Sequence, residues 1–126
     1  MTLYPRANLQ LVYVTDIVRS TQFYKILFNS EPIFSSPRYV AFSATDDKKA
    51  LFAIWSGGTR PDLNAPRFTE VGILLPSNEE VDLLFEKWKK NSLITIVKKP
   101  YDEVFGRTFM IADPDGYLIR VSPLDE

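Results

Sequence analysis

The sequence contains no cysteine and no histidine, and each absence excludes a kind of chemistry. Without cysteine the chain has no disulfide, no thiolate nucleophile and no thiolate metal ligand. Without histidine it lacks the commonest metal ligand of proteins and the usual general base near neutral pH. Nucleophiles activated by histidine and metal sites built from imidazoles are therefore impossible. Any reaction would have to use carboxylates, tyrosine, lysine or arginine.

The chain also lacks an excess of one charge and a long apolar run. Its 15 Lys and Arg residues nearly balance 16 Asp and Glu residues, so the overall charge does not favour a nucleic acid or an anionic membrane as a partner. No apolar run is long enough to cross a bilayer, and residues 1–6 lack the basic-then-apolar order of a signal peptide. We therefore expect a soluble cytoplasmic protein that binds neither nucleic acid nor membrane.

The chain contains one pattern of elements twice. Each half reads as an apolar strand, a polar cap, an amphipathic helix and three strands joined by turns. The 126 residues are 45% hydrophobic and 13% aromatic, which suffices for one compact core. We predict an α+β fold and a single domain over 1–126, with a βαβββ module at 8–56, a connecting loop at 57–67 and a second βαβββ module at 68–123. The two modules should form a curved mixed sheet with the helices outside and a concave cleft inside.

The predicted bounds of the helices and strands follow from three signals: alternation of apolar and polar residues, helical spacing of apolar residues, and residues that interrupt helices or strands. The first half predicts a strand at 9–14, a cap at Thr15 or Asp16, a helix at about 18–28, and strands at 33–34, 38–44 and 50–55. The second half predicts a strand at 69–75, a cap at 76–78, a helix at 79–90, and strands at 93–97, 105–112 and 117–121. The predicted core-facing stripes of the helices are Phe23, Ile26 and Leu27 in the first and Val81, Leu84, Phe85 and Trp88 in the second.

Two segments resemble a known family. Residues 14–24, VTDIVRSTQFY, resemble the first strand–helix junction of the vicinal oxygen chelate superfamily, which includes glyoxalases and bleomycin-resistance proteins. Residues 105–117, FGRTFMIADPDGY, resemble its closing signature, whose Asp-Pro-Asp-Gly run shapes a turn. One motif lies in each half, in the order of the family, and the resemblance covers nearly the whole chain. It implies the glyoxalase/bleomycin-resistance fold.

The resemblance also bears on metal binding. Metal-dependent members of the superfamily carry histidine or glutamate at four inward positions, on the first and last strand of each module. In this chain those positions correspond to Leu9, Ala53, Glu70 and Arg120. A lone carboxylate beside an arginine is a poor site for a divalent ion. The resemblance therefore implies the metal-free, drug-binding branch, with no metal and no cofactor.

Strand alternation predicts which side chains face the concave surface. If Ala53 faces inward, so do Leu51 and Trp55, whereas Phe52 and Ile54 face the helices. In the other strands the same rule turns these residues inward: Leu9, Leu11, Tyr13, Glu70, Gly72, Leu74, Leu118, Arg120 and Ser122. Such an apolar, aromatic pocket with few charges suits a planar aromatic ligand with a polar or anionic substituent.

The predicted ligand contacts centre on Trp55. We expect its ring to stack on the ligand, and Arg38 or Arg120 to pair with a negative charge. The full set of predicted contacts is Trp55, Arg38, Tyr39, Glu70, Phe105, Arg120 and Ser122. Residues 37–42 and 52–58, PRYVAF and FAIWSGG, resemble phenazine-antibiotic resistance proteins of the same branch. This resemblance implies a binding protein that sequesters a phenazine such as a griseoluteate.

Other interpretations stay open at this stage. Trp55 could pack beneath its own glycine loop, and Glu70 and Arg120 could neutralise each other. Phe105 and Phe109 could be core residues or part of the pocket wall, and Tyr39 and Tyr101 could be surface aromatics. The alternative function is a metal-independent enzyme that acts on a small aromatic or carbonyl substrate, with Glu70 as base and Arg120 or Tyr13 stabilising negative charge. A ligand-responsive or structural partner protein is a third possibility.

The resemblance finally implies an assembly. Members of this fold usually pair as homodimers, so we expect a homodimer with two equivalent clefts. A dimer would also cover sheet edges that a single chain leaves open. A dimer with exchanged halves and a side-by-side dimer fit the sequence equally well.

Overall fold

The computed structural model describes residue 3 and residues 5–124. The chain divides into two compact units, the first ending at Pro61 and the second beginning at Asp62. The first unit contains β1 (Leu9–Tyr13), α1 (Ile17–Phe28), β2 (Phe34–Ser35), β3 (Tyr39–Ser43) and β4 (Leu51–Trp55). The second unit contains β5 (Val71–Leu75), α2 (Asn78–Trp88), β6 (Thr95–Glu103), β7 (Gly106–Ala112) and β8 (Leu118–Pro123). Each unit therefore has the predicted order βαβββ.

Each unit contains one four-stranded mixed sheet, and the two sheets have the same topology. The strand order is β1-β4-β3-β2 in the first unit and β5-β8-β7-β6 in the second. The first and last strands of each unit pair in parallel, and the other neighbours pair antiparallel. This architecture of two tandem modules confirms the predicted α+β fold. It also brings the first and last strands of each unit together, and the last strands carry three of the seven predicted ligand contacts: Trp55, Arg120 and Ser122.

Both helices begin at residues that the sequence marks as caps. Asp16 caps α1, because its Oδ1 accepts hydrogen bonds from the backbone N–H groups of Val18 and Arg19, both at 3.1 Å. Ser77 caps α2, because its Oγ accepts a hydrogen bond from the N–H group of Glu80 at 3.3 Å. Each cap satisfies backbone donors that the first turn of a helix leaves without an internal partner.

The core of the first unit is an aromatic cluster between α1 and the sheet. The ring of the fully buried Tyr24 lies 4.8 Å from that of Phe52 and 5.5 Å from that of Phe28, measured between centroids. Phe42 completes the cluster at 5.5 Å from Phe28. The predicted helix stripe was wrong at Ile26, which is 40% exposed. Ile26 lies two positions after Tyr24 in the helix. Its side chain is therefore rotated by about 200° from that of Tyr24 and points away from the sheet.

The core of the second unit forms where α2 packs on β7. The rings of Phe85 and Trp88 lie 5.4 Å and 5.8 Å from that of Phe109, which is fully buried. Phe109 is therefore a core residue, and the sequence had left this open. Helix α2 ends at Trp88, two residues earlier than predicted, and Lys89 and Lys90 that follow it are exposed.

Strand β6 is longer than predicted, since it continues from Thr95 through Pro100 to Glu103. The prediction placed this strand at 93–97, short of Pro100, which lacks the N–H group that a sheet ladder needs. The strand lies at the edge of its sheet, where a proline is tolerated. Register shifts on both sides of Lys98 show that the pairing is irregular there. The extension carries Tyr101 onto the sheet.

The turn between β7 and β8 contains the Asp-Pro-Asp-Gly run. The Oδ1 atom of Asp113 accepts hydrogen bonds from the N–H groups of Asp115 and Tyr117, both at 2.9 Å. Gly116 has a φ of 83°, a conformation that favours glycine. Arg67 donates to the carbonyl oxygen of Asp115 at 2.8 Å, and its guanidinium lies 4.5 Å from the centre of the Tyr117 ring. The turn thus has the scaffold role that the sequence predicts.

Two expectations concern the membrane and the ends of the chain. Across residues 3 and 5–124, no helix is both long enough and apolar enough to cross a membrane. The expected lack of a signal peptide rests partly on residues 1, 2 and 4, which lie outside the described residues. Residues 125 and 126 lie outside them as well, so the predicted domain limits stay predictions.

Candidate ligand-binding site

Three aromatic side chains form a row across the sheet of the first unit. Trp55 of β4 pairs in register with Tyr13 of β1 on one side and with Tyr39 of β3 on the other. The rings of Tyr13 and Trp55 meet edge to face, with 5.4 Å between their centroids. Phe52 of the same strand packs on α1, so alternation puts the row on the opposite face. Trp55 is half-buried there.

Arg38 and Tyr39 lie beside this end of β4. Tyr39 is half-buried, and its ring centroid lies 6.0 Å from that of Phe34. The carbonyl oxygen of Arg38 accepts a hydrogen bond from the N–H group of Ser56 at 2.9 Å, and the Arg38 side chain is exposed. The structure therefore brings together the three residues that the sequence predicts for this unit: Arg38, Tyr39 and Trp55.

The backbone of Gly57 and Gly58 lies against the Trp55 ring. A Cβ atom added at Gly57 would lie 2.5 Å from Trp55 Nε1, and one added at Gly58 would lie 2.9 Å from Trp55 Cζ3. The same atom at Gly58 would lie 3.1 Å from Cε2 of Tyr13. A residue with a side chain could not approach the ring so closely. Trp55 thus packs against its own loop, as one interpretation of the sequence held, and the residue as a whole is half-buried.

We expect Gly57→Ala to destabilise the protein by about 1–3 kcal/mol, because the added methyl group must displace either the indole or the loop. The matched control is Gly72→Ala, since a Cβ atom there would meet nothing within 4 Å. The control should change the free energy of unfolding by less than about 0.5 kcal/mol. Urea denaturation followed by circular dichroism measures both values. Equally small effects of the two substitutions would contradict the packing of the loop on Trp55.

A second row of residues crosses the sheet of the second unit. Arg120 of β8 has Gly72 of β5 and Met110 of β7 as its register partners, and Met110 pairs with Lys98 of β6. The space in front of Gly72 is open, because no atom lies within 4 Å of a Cβ position there. Arg120 therefore lies next to an open part of the sheet face.

Glu70 and Arg120 form an ion pair with two hydrogen bonds. The Nε atom of Arg120 donates to Oε1 of Glu70 at 2.8 Å, and Nη2 donates to Oε2 at 3.0 Å. The remaining nitrogen, Nη1, donates to the hydroxyl oxygen of Tyr101 at 3.1 Å. The side chains of Arg120 and Glu70 are 27% and 36% exposed. The two charges that the sequence placed on the inward face are therefore paired with each other.

This pairing changes the acidity of both groups. The hydrogen bonds from Arg120 lower the pKa of the Glu70 carboxyl below its ordinary value of 4.5, against a smaller opposing effect of burial. The same hydrogen bonds raise the pKa of Arg120. Because the pKa of Glu70 is lowered on folding, the pair stabilises the fold above pH 4.5, and this contribution is lost as the pH falls through the folded-state pKa. Solvent screens so exposed a pair, which keeps its contribution small.

Phe105 and Ser122 are the remaining predicted contacts. Phe105 lies in the turn between β6 and β7, is 38% exposed, and has its ring centre 5.7 Å from Cζ of Arg120. Ser122 is buried, and its Oγ lies 2.9 Å from Oγ1 of Thr108. Because Thr108 donates its own proton to the carbonyl of Val121, the hydroxyl of Ser122 donates to Thr108. The Ser122 hydroxyl therefore takes part in a hydrogen bond within the sheet.

Tyr101 is the neighbour of Arg120 that the sequence did not assign to the site. Its hydroxyl binds Arg120, and the ammonium group of Lys98 lies 3.9 Å from the centre of its ring. The predicted strand at 93–97 ends before Pro100, so strand alternation was not applied to Tyr101. Edge-strand tolerance of proline is the one signal that could have extended it.

The four positions that the family resemblance assigns to metal ligands carry too few donors for a divalent metal ion. Of the four positions that the family resemblance assigns to metal ligands, Leu9 and Ala53 offer no side-chain donor and Arg120 is a cation. Both oxygens of the fourth, Glu70, are bound by Arg120. Within the part of the chain that the structure describes, no three carboxylates lie close enough together to hold a metal ion.

Comparisons with known proteins agree with this fold. A family model described as the Glyoxalase/Bleomycin resistance protein/Dioxygenase superfamily matches residues 6–121. The chain therefore belongs to the glyoxalase/bleomycin resistance protein/dioxygenase superfamily. It is 58% identical over 120 residues to the phenazine antibiotic resistance protein EhpR of Enterobacter agglomerans. The matched region covers 94% of this chain and 92% of that protein.

Two solved structures illustrate the structural likeness. A protein of Agrobacterium tumefaciens solved by solution NMR has a TM-score of 0.75 and 26% identity, with 98% of this chain and 100% of that chain covered. A glyoxalase-related enzyme of Fulvimarina pelagi has a TM-score of 0.77 and 17% identity, with 96% of this chain and 89% of that chain covered. Because the Fulvimarina pelagi enzyme is only 17% identical to this chain, its similarity shows a shared fold and nothing about function.

Proposed function

We propose that this protein confers resistance to a planar aromatic antibiotic of the phenazine type, such as a griseoluteate, by binding and sequestering it without a metal ion. The observation that carries the proposal is the 58% identity over 120 residues to a phenazine antibiotic resistance protein. At that identity over nearly the whole length of both chains, a shared ligand class is the simplest expectation. We further propose that the protein acts in the cytoplasm as a homodimer with two equivalent sites.

The aromatic row of the first unit supports the proposed ligand class. Phenazines are flat systems of three fused rings, and the half-buried indole of Trp55 offers such a ligand a stacking partner. The Gly57–Gly58 backbone holds Trp55 from one side, and Tyr13 holds it through an edge-to-face contact. A ring held in this way loses little conformational freedom when a ligand stacks on it, which favours binding.

The proposed ligand contacts lie in both units. In the first unit they are Trp55, Arg38 and Tyr39, and in the second unit they are Glu70, Phe105 and Arg120. The contacts of each unit are tested by variants of their own. Ser122 is left out, because its hydroxyl is hydrogen-bonded to Thr108 and buried.

Sequestration is preferred to catalysis because the candidate base is poorly suited to remove a proton. Both carboxylate oxygens of Glu70 accept hydrogen bonds from Arg120, and the pKa of Glu70 is lowered. A general base works best when its pKa lies near the working pH. We therefore do not propose the enzyme that uses Glu70 as its base.

The experiment is equilibrium dialysis of the purified protein against phenazine-1-carboxamide in the presence of EDTA, followed by extraction and mass spectrometry of the ligand. We expect saturable binding of one molecule per chain and full recovery of unchanged ligand. Time-dependent conversion of the ligand would support the enzyme instead. Binding that appears only after addition of a divalent metal would contradict the metal-free proposal.

A further inference from the structure

The hydroxyl group of Tyr101 carries a proton that is not used inside the protein. Nη1 of Arg120 donates a hydrogen bond to the Tyr101 oxygen at 3.1 Å. Because a guanidinium can only donate, the hydroxyl is the acceptor of this bond and keeps its own proton for another partner. Within residues 3 and 5–124, no oxygen atom accepts that proton. The acceptor must therefore come from water or from a ligand.

Glu70 already occupies the edge of Arg120 that would bind a carboxylate best. A guanidinium binds a carboxylate most strongly through two parallel N–H groups. The Nε and Nη2 atoms of Arg120 make such a pair of hydrogen bonds with Glu70, at 2.8 Å and 3.0 Å. This edge is not open to a carboxylate of a ligand, whereas the adjacent proton of Tyr101 is.

The Tyr101 hydroxyl lies where a ligand on the second sheet can reach it. Tyr101 is half-buried, and its partner Arg120 pairs in register with Gly72, in front of which the sheet face is open. Phe105, 38% exposed, has its ring centre 5.7 Å from Cζ of Arg120. An aromatic ligand that packs on Phe105 can therefore place an oxygen of a substituent near the Tyr101 hydroxyl.

The charges around Tyr101 favour an anionic acceptor. Arg120 and Lys98 supply two positive charges against the one negative charge of Glu70, which leaves one positive charge in excess. The ammonium group of Lys98 lies 3.9 Å from the centre of the Tyr101 ring. A hydrogen bond to an ionised acceptor is also about twice as strong as one between neutral groups. A carboxylate is therefore the acceptor that the Tyr101 proton would hold most strongly.

We propose that Tyr101 is a specificity-determining ligand contact: its hydroxyl donates a hydrogen bond to the carboxylate of a phenazine carboxylate. This inference rests on the proposed function, because it names the group that recognises a substituent of the same ligand. It also changes the role expected of Arg120 from the sequence. Arg120 holds the Tyr101 oxygen and so leaves the hydroxyl proton to the ligand.

The experiment measures the dissociation constants of phenazine-1-carboxylate and of unsubstituted phenazine at pH 7 by equilibrium dialysis. Tyr101→Phe should weaken binding of the carboxylate by about tenfold, since it removes a hydrogen bond to a charged group. Binding of phenazine should stay within twofold, because the aromatic ring of residue 101 is kept. The matched control is Tyr117→Phe, which removes the hydroxyl of another half-buried tyrosine, one whose ring centre lies 4.5 Å from Cζ of Arg67. The control should leave both dissociation constants within twofold.

A second comparison separates a direct contact from an effect transmitted through Arg120. The double variant Glu70→Gln/Arg120→Gln removes one negative and one positive charge, so the net charge near the ligand is kept. Tyr101→Phe should still weaken binding of the carboxylate in this background, by at least about threefold, if the hydroxyl itself contacts the ligand. No effect in this background would mean that Tyr101 acts only by holding Arg120, and the inference would be overturned.

The remaining outcomes distinguish this inference from the proposed function. If the wild type binds the probes and Tyr101→Phe leaves the carboxylate affinity unchanged, or if Lys98→Gln lowers it more, the inference is overturned while the function stands. If neither probe binds the wild type, the proposed function itself fails. Should Tyr101→Phe not fold, Tyr101→Leu takes its place, because it also lacks the hydroxyl. Its affinity for the carboxylate, relative to phenazine, should fall by about tenfold, and an unchanged ratio would again overturn the inference.

Discussion

Trp55→Ala is expected to lower the affinity for phenazine-1-carboxamide by about tenfold to a hundredfold, because stacking of a planar ring system on an aromatic side chain contributes about 1–3 kcal/mol. The ring of Trp55 is half-buried and held by Tyr13 at 5.4 Å and by the Gly57–Gly58 backbone. Truncation to alanine removes the stacking surface. Equilibrium dialysis measures the change.

The chain supplies a matched control for this prediction. Trp88, the other tryptophan, is 5% exposed and packs on Phe109 with 5.8 Å between ring centroids. Trp88→Phe keeps an aromatic ring in the core of the second unit and should leave the affinity unchanged. A Trp55→Ala protein that is folded and binds the probe as tightly as the wild type would remove Trp55 from the site.

Tyr24→Ala is expected to lower the free energy of unfolding by about 3–5 kcal/mol, the loss typical of large aromatic side chains replaced in a core. The Tyr24 side chain is fully buried and its ring contacts those of Phe23, Phe28 and Phe52 at 5.0, 5.5 and 4.8 Å. Such a loss is a large part of the total stability of a typical domain. Urea denaturation followed by circular dichroism measures it.

The control for Tyr24 is Phe34→Ala. Phe34 is an aromatic residue of the same unit, but it is 55% exposed on the two-residue strand β2. Its replacement should cost less than about 1 kcal/mol, because little of its surface is removed from water on folding. If the two substitutions destabilised the protein equally, the core would not be centred on Tyr24.

The fold could be predicted because its signals are local and occur twice. Strand alternation, the caps Asp16 and Ser77, and the Asp-Pro-Asp-Gly turn each act within a few residues of the chain. The errors arose where tertiary context decides. Ile26 fits a helical stripe by spacing, yet the sheet packs on the Tyr24 side of α1. Proline ends most strands, yet Pro100 lies within β6, which is an edge strand.

The candidate site could be predicted only in part. The family resemblance and alternation named Trp55, Glu70 and Arg120, but neither could show whether Glu70 and Arg120 pair. That pairing depends on the register of β5 with β8, which sets Gly72 opposite Arg120 and brings Glu70 within reach. Sequence alone does not fix the register between strands so far apart in the chain. Tyr101 was missed for the same reason, since its contact with Arg120 depends on the irregular pairing of β6.

We propose above all that Trp55 stacks on a phenazine in the absence of metal. The most direct measurement is a fluorescence titration of the Trp88→Phe variant, in which Trp55 is the one tryptophan of the chain, with phenazine-1-carboxamide in the presence of EDTA. We predict saturable quenching of Trp55 emission, unchanged when a divalent metal replaces the chelator. Emission that does not respond to the probe, or that responds only when metal is added, would contradict the account.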